Sequence, residues 1–194
     1  MLTTSDEVAV VGGARVARPL RDLPRVDVDG LGAHRRVVVT GGDAELSAVL
    51  TALLRADRLD VEVAPATGRW SARRALSAPA RRVPLIRDET GTVLVGAAQW
   101  HGADGAPLQG EAIVDDCVLF DGEAPGVRVE PTPNMPGLRA SVLSARGRAR
   151  HWVVGRAAQL GTPGAHVIRD GVPAPRTVRR STFYRHTEGW LRVG

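Results

Sequence analysis

The chain has 194 residues, 26 basic and 21 acidic side chains, a net charge of +5 and 43% hydrophobic content. That length suits one ordinary domain or two small ones with a real core, and no apolar run approaches a membrane span. The lone Cys117 excludes a disulfide framework and a cysteine zinc site, and the absence of lysine excludes Walker-type phosphate lysines and Schiff-base chemistry.

Every basic residue is therefore arginine. The codon bias of a GC-rich bacterial genome explains many of them; the rest of the charge implies tolerance for anionic partners, phosphates or acidic lipids. The five histidines show no metal-ligand spacing, so no metal-binding residues are assigned. Met1–Asp6 has neither the basic start nor the apolar core of a signal peptide. A cytoplasmic location, with peripheral contact at a membrane, is the expectation.

In chain order, Glu7–Gly13 reads as a buried strand ending in a turn, and the alternation in Val26–Gly30 predicts a short second strand. Leu31–His34 is too short for a crossover helix before the strand Val37–Thr40. That strand meets Gly41-Gly42-Asp43, a tight turn opening straight into a helix, the arrangement by which α/β proteins aim backbone N–H groups at a phosphate. Leu46, Val49, Leu50, Leu53 and Leu54 share one helical face, and Asp43 caps the helix or sits in its first turn. Leu59, Val61 and Val63 alternate as a half-buried strand ending at Ala64–Gly68, and a short arginine-rich helix is predicted over Ser71–Leu76.

Beyond Ser77-Ala78-Pro79-Ala80 the pattern becomes strands punctuated by Gly and Pro: Val83–Arg87, Thr92–Trp100, Ala112–Phe120, Gly126–Glu130, Leu138–Leu143, His151–Gln159, Ala165–Arg169 and Phe183–Val193. Asp88–Gly91 and Asp121-Gly122 read as hairpin turns. The fold class is α+β: a small, truncated α/β (Rossmann-like) lobe over residues 1–76, then a larger antiparallel β-sandwich lobe over 77–194.

The order of these motifs resembles the diacylglycerol kinase-like family of lipid kinases, related in fold to the NAD kinases. Gly41, Gly42 and Asp43 match the first three positions of its Gly-Gly-Asp-Gly-Thr loop. Pro65, Thr67, Gly68, Ala72 and Arg73 resemble its Pro-Leu-Gly-Thr-Gly-Asn-Asp-Phe-Ala-Arg motif, with one residue fewer after Pro65. Val95–Ala97 through His101-Gly102 looks like an early strand of its second domain, and Arg169-Asp170-Gly171 like its late Asp-Gly turn. The resemblance implies a nucleotide site at Gly41, Gly42, Asp43, Ala44, Glu45, Thr67 and Gly68, with ATP and Mg²⁺ as cofactors. It also implies that a front βαβ segment is missing.

The departures from that pattern are chemical. Ala44 replaces a glycine whose φ could be positive, and Glu45 replaces threonine, putting a negative charge in the turn that would meet phosphate. Two unit charges about 4 Å apart repel by ~1 kcal/mol in water and ~4 kcal/mol at an effective dielectric near 20. Arg69-Trp70 stands for the Asn-Asp pair. Pro131–Leu138 resembles the family's Pro-x-Ala-x-x-Asp-Gly-x-Leu stretch, with Pro136 where the catalytic Asp belongs.

The expectation is a kinase-like pseudoenzyme that binds a nucleotide, lipid or protein partner, with no catalytic residue assigned; a homodimer is compatible with it. The alternatives are an active ATP-dependent lipid kinase using Glu45, Asp43 or Asp170 around Mg²⁺, and an arginine-rich binder of anionic membrane or nucleic acid. Nucleic acid is the less favoured partner. The arginines Arg73, Arg74, Arg81, Arg82, Arg146, Arg148 and Arg150 read as solvated faces and loops. Trp70, Trp100, Trp152 and Trp190 read as core or lobe packing.

Overall fold

The structure, a computed structural model, describes residues 7–13 and 16–194. The Met1–Asp6 segment read above for a leader lies outside the described residues.

The strands are, in chain order, β1 (Val8–Val11), β2 (Arg36–Val39), β3 (Glu62–Pro65), β4 (Ala80–Val83), β5 (Ile86–Asp88), β6 (Val93–Leu94), β7 (Ala98–Gly102) and β8 (Leu108–Val114). There follow β9 (Cys117–Ala124), β10 (Val127–Pro131), β11 (Leu138–Val142), β12 (Val153–Gly155), β13 (Ala157–Arg169), β14 (Val172–Pro173), β15 (Val178–Arg185) and β16 (Trp190–Val193). Two α-helices, α1 (Asp43–Arg55) and α2 (Arg69–Ser77), follow β2 and β3. The chain packs as two compact units: one runs to Val83 and takes back Glu188–Gly194, the other is Pro84–Thr187.

In the first unit the sheet order is β1-β2-β3-β16-β4. β1, β2, β3 and β16 run parallel, and β4 closes the edge antiparallel to β16. Parallel strands with both faces covered need continuous apolar residues. The fully buried Val8–Val11 and Val37–Val39 supply them. Leu46, Val49, Leu50 and Leu53 form the buried face of α1, as their spacing predicts, and Ala72 and Ala75 that of α2.

Arg36, at the start of β2, is only 5% exposed. Its Nη1 donates to the carbonyls of Ala75 and Leu76 at 2.8 and 3.1 Å, its Nη2 to that of Ala78 at 3.1 Å, and its Nε to Glu62 at 2.6 Å. The cation thereby satisfies the orphan carbonyls at the end of α2 and opposes the negative end of its dipole.

Several expectations change here, among them Thr92–Trp100, which divides into β6 and β7. Val26–Gly30 is not a second strand: only Arg25 bridges to Val10, and Val28–Ala33 is a 3-10 turn burying Leu31. This turn and another over Arg18–Leu20 lie in the β1–β2 crossover, where a parallel pair more often carries a helix. Val83–Arg87 is not one strand either, because Val83 ends β4 in the first sheet and Ile86 begins β5 in the second unit. The predicted Phe183–Val193 likewise divides into β15 and β16, with β16 paired to β3 and β4.

The second unit is antiparallel throughout, in the order β12-β11-β10-β7-β13-β15-β5-β6, with β8 also on β13, β9 on β8 and β14 on β13. β13 divides its partners: Ala158–Gly161 pairs β8, and Ala165–Arg169 pairs β7, with an irregularity between. One strand serving two sets of neighbours is how a sheet folds over on its own core. Trp100 and Phe183 stack inside it with centroids 5.8 Å apart, and the Trp100 indole N–H donates to Ser181 at 3.0 Å.

The hairpin at Asp88–Gly91 is present, with Asp88 Oδ1 accepting the N–H groups of Thr90 and Thr92. Asp121-Gly122 is not a turn. It lies inside β9 with Gly122 opposite Gly110, and the predicted strand Ala112–Phe120 instead bends at Asp115-Asp116, where Asp115 has φ +51°.

Candidate functional site: the carboxyl edge of the parallel strands

β1, β2 and β3 end in register, Val11 beside Val39 and Val39 beside Pro65, so the loops after them emerge along one edge. In open α/β sheets this edge is where ligands bind. Gly12-Gly13 follows β1, Gly41-Gly42 follows β2, and Thr67-Gly68 follows β3. The first and second loops touch: a Cβ on Gly12, whose φ is +95°, would stand 3.3 Å from the Gly41 nitrogen. Thr40 Oγ1 donates to the Val11 carbonyl at 3.2 Å and ties the same two strands.

Gly42 is the N-cap of α1, and Asp43, Ala44 and Glu45 form its first turn. Gly42 has no side chain to cap the helix; Glu45 does the work from the other direction. Its Oε2 accepts the Gly42 N–H at 3.0 Å, which is the backward half of a capping box. The side chain folds over Gly41: a Cβ there would lie 2.6 Å from Glu45 Cγ and Cδ and 2.7 Å from its Cβ. Ala44 is helical and has no positive φ, so the strain expected of it does not arise. Asp43 is exposed beside this carboxylate.

The loop after β3 closes in the same way with a neutral group. Gly68 is the N-cap of α2, and the Ser71 hydroxyl accepts the Gly68 N–H and donates to the Gly68 carbonyl, both at 2.8 Å. Thr67 and Gly68 are exposed. Next to this loop a cleft of about 130 Å³ is lined by Pro65, Ser71, Arg74, Arg192 and Gly194. The edge therefore carries two guanidinium groups and the acids Asp43 and Glu45, while the Gly42 and Gly68 N–H groups are taken up by Glu45 and Ser71. Among the described residues no group of three His, Cys, Asp or Glu side chains is arranged to hold a metal.

The other motifs belong to the second unit. The β10–β11 connection holds Pro136 with Thr132 N–H donating to the Gly137 carbonyl at 2.8 Å, and Arg185 Nη1 donates to the Pro136 carbonyl at 3.0 Å. This loop contains no acidic side chain between Thr132 and Gly137, and it leaves Met135 67% exposed. Asp170, at φ +48°, accepts the N–H groups of Val95, Gly96 and Ala97 at 3.0, 2.7 and 3.0 Å. These bonds make it the anchor of a turn.

The structure thus brings Gly41, Gly42, Asp43, Ala44, Glu45, Thr67 and Gly68 to one sheet edge. Sequence reasoning did not assign Gly12-Gly13, Thr40 and Ser71 to the site, although a Gly-Gly pair directly after Val8–Val11 was a usable signal. It also read Trp70 as core or lobe packing. Trp100 and Trp190 are buried, but Trp70 is 79% exposed.

No family model matches the chain, and no curated protein matches its sequence. Solved structures do match its fold. A diacylglycerol kinase from Bacillus anthracis str. Sterne superposes with a TM-score of 0.71 at 10% identity, over 97% of this chain and 96% of that one. An NAD kinase from Archaeoglobus fulgidus in complex with ATP superposes with a TM-score of 0.66 at 14% identity, over 97% and 93%. The chain has the two-lobe fold of the diacylglycerol kinases and NAD kinases.

Proposed function

We propose that this is a diacylglycerol kinase-like protein that has given up phosphoryl transfer and acts by binding a lipid, nucleotide or protein partner. The observation that carries the reading is the Glu45 carboxylate on the Gly42 N–H, lying against Gly41. A helix N-terminus attracts an anion, and here the anion is the protein's own. An incoming phosphate must displace it or face it. Pro136 supports the same reading, since its side chain can neither accept a proton nor bind a metal. If ATP and Mg²⁺ do bind, Gly41, Gly42, Asp43, Thr67 and Gly68 are the residues that would hold them, and the cofactor would supply a transferable phosphoryl group.

The test is a thermal-shift titration with ATP–Mg²⁺ on the parent and on Ala44→Gly combined with Glu45→Thr. A ligand at a hundred times its dissociation constant stabilises by roughly 2.7 kcal/mol, several degrees for a chain of this size. The parent is expected to shift little and the double variant clearly. ATP-dependent phosphorylation of diacylglycerol by the purified parent would sink the proposal. It would establish the second reading, an active lipid kinase, which draws its support from the ATP bound in the NAD kinase of this fold.

A further inference from the structure

We infer that the outer face of α2 is a docking surface for an anionic lipid bilayer, with Trp70 as its apolar anchor. The face is built by helical spacing: Trp70, Arg73, Arg74 and Ser77 are one, or nearly one, turn apart, while Ala72 and Ala75 face the core. α2 contains no acidic residue, and Arg69, Arg73 and Arg74 have no carboxylate partner among the described residues. The 3-10 turn Arg18–Leu20 packs against α2 and adds exposed Arg18.

Trp70 is the odd member of its kind. An indole carries one of the largest apolar surfaces of any side chain, and leaving it 79% exposed forgoes most of the gain from burial. Its ring lies under Arg73, whose guanidinium carbon is 5.7 Å from the centroid, so charge and apolar surface are presented together. The helix beneath cannot give way easily: Ser71 ties its first turn, and Arg36 binds the Ala75, Leu76 and Ala78 carbonyls at its end.

An exposed indole on a helix face that also carries guanidinium groups without carboxylate partners matches the headgroup level of an acidic membrane, where tryptophan partitions and arginine meets anionic lipid. At nine residues α2 is far too short to span, so contact is interfacial. The other basic cluster, Arg146, Arg148 and Arg150, lacks this combination, because the nearby Trp152 is half-buried with Arg139 4.2 Å from its centroid. Nothing in this inference depends on the glycine loop, so it stands or falls apart from the proposal above.

The experiment is co-sedimentation of the full chain with phosphatidylcholine vesicles, with and without phosphatidylserine, at low and high salt. Binding is expected only with phosphatidylserine, weakening as salt rises, with a blue shift of tryptophan emission that Trp70→Ala abolishes. Trp70→Ala should weaken binding about tenfold, and each of Arg69, Arg73 and Arg74 changed to Gln about fivefold. All four positions are exposed, so an unchanged circular dichroism melt confirms that the variants fold. No binding to phosphatidylserine vesicles, equal binding to neutral ones, or full binding by Trp70→Ala would each overturn the inference. So would tighter binding to duplex DNA that Trp70→Ala leaves unchanged.

Discussion

The Glu45 carboxylate accepts the backbone N–H of Gly42, three residues earlier in the chain, at 3.0 Å. One residue thus caps α1 and fills the space over Gly41 with negative charge. Glu45→Ala should lower stability by about 0.5–1 kcal/mol, as losing an exposed cap does, and Glu45→Gln by less, because the amide oxygen still accepts. Gly41→Ala should cost more, about 1–3 kcal/mol, because the new Cβ would meet the base of the Glu45 side chain as well as its flexible end. Urea midpoints of the three variants check the ordering.

Arg36 binds Glu62 and three carbonyls at the end of α2 while almost fully buried. Truncating it leaves the part-buried Glu62 carboxylate with Arg35 alone and the helix end without its cation. Arg36→Ala should cost about 3–5 kcal/mol, the usual consequence of breaking a buried pair from one side. Arg36→Lys restores the charge but not the fork, so it should recover only part of the loss. Denaturant unfolding of both variants measures the difference.

Burial works to raise the pKa of Glu130, but hydrogen bonds from Arg128 and Arg139 outweigh it and hold the carboxyl below its usual range. A depressed folded value means that the pair stabilises the protein fully above the free glutamate value of about 4.3. That contribution is lost as pH falls through the folded value. Urea midpoints followed from neutral into acid should therefore decline below about pH 4.3. Glu130→Gln should remove part of that slope while lowering stability at neutral pH.

Asp170 sits in a left-handed conformation and accepts three successive backbone N–H groups. Asn tolerates that backbone region but has one acceptor oxygen instead of two, so Asp170→Asn should lose about 1–3 kcal/mol. Asp170→Ala should lose more, since it also strains the backbone. Hydrogen exchange at Gly96 and Ala97 should accelerate in both, which separates loss of this turn from a general fall in stability.

The first lobe was largely legible because its signals are local. Leu46, Val49, Leu50 and Leu53 repeat at the helical period and are all buried in α1, and the glycine turn before them is where its spacing put it. Glu45 could be seen as an acid in a helical first turn, but not as the group that holds Gly42, since that depends on a rotamer folding back over a glycine. The errors fall where long-range pairing decides. Asp121-Gly122 has the chemistry of a hairpin turn, yet pairing with Gly110 keeps it inside β9. Val26–Gly30 has the alternation of a strand, but the sheet offers it only one bridge at Arg25.

By itself the sequence determined what composition and short periods can carry: an α/β segment followed by a β-rich one, and a glycine loop without lysine. Those properties belong to residues within a few positions of one another. The tertiary structure decided that β16 returns beside β3, that Arg36 crosses the sheet to close α2, and that Trp70 faces water while Trp100 does not. Partners in these contacts lie tens of residues apart, and no local propensity records a pairing that forms only when the core assembles.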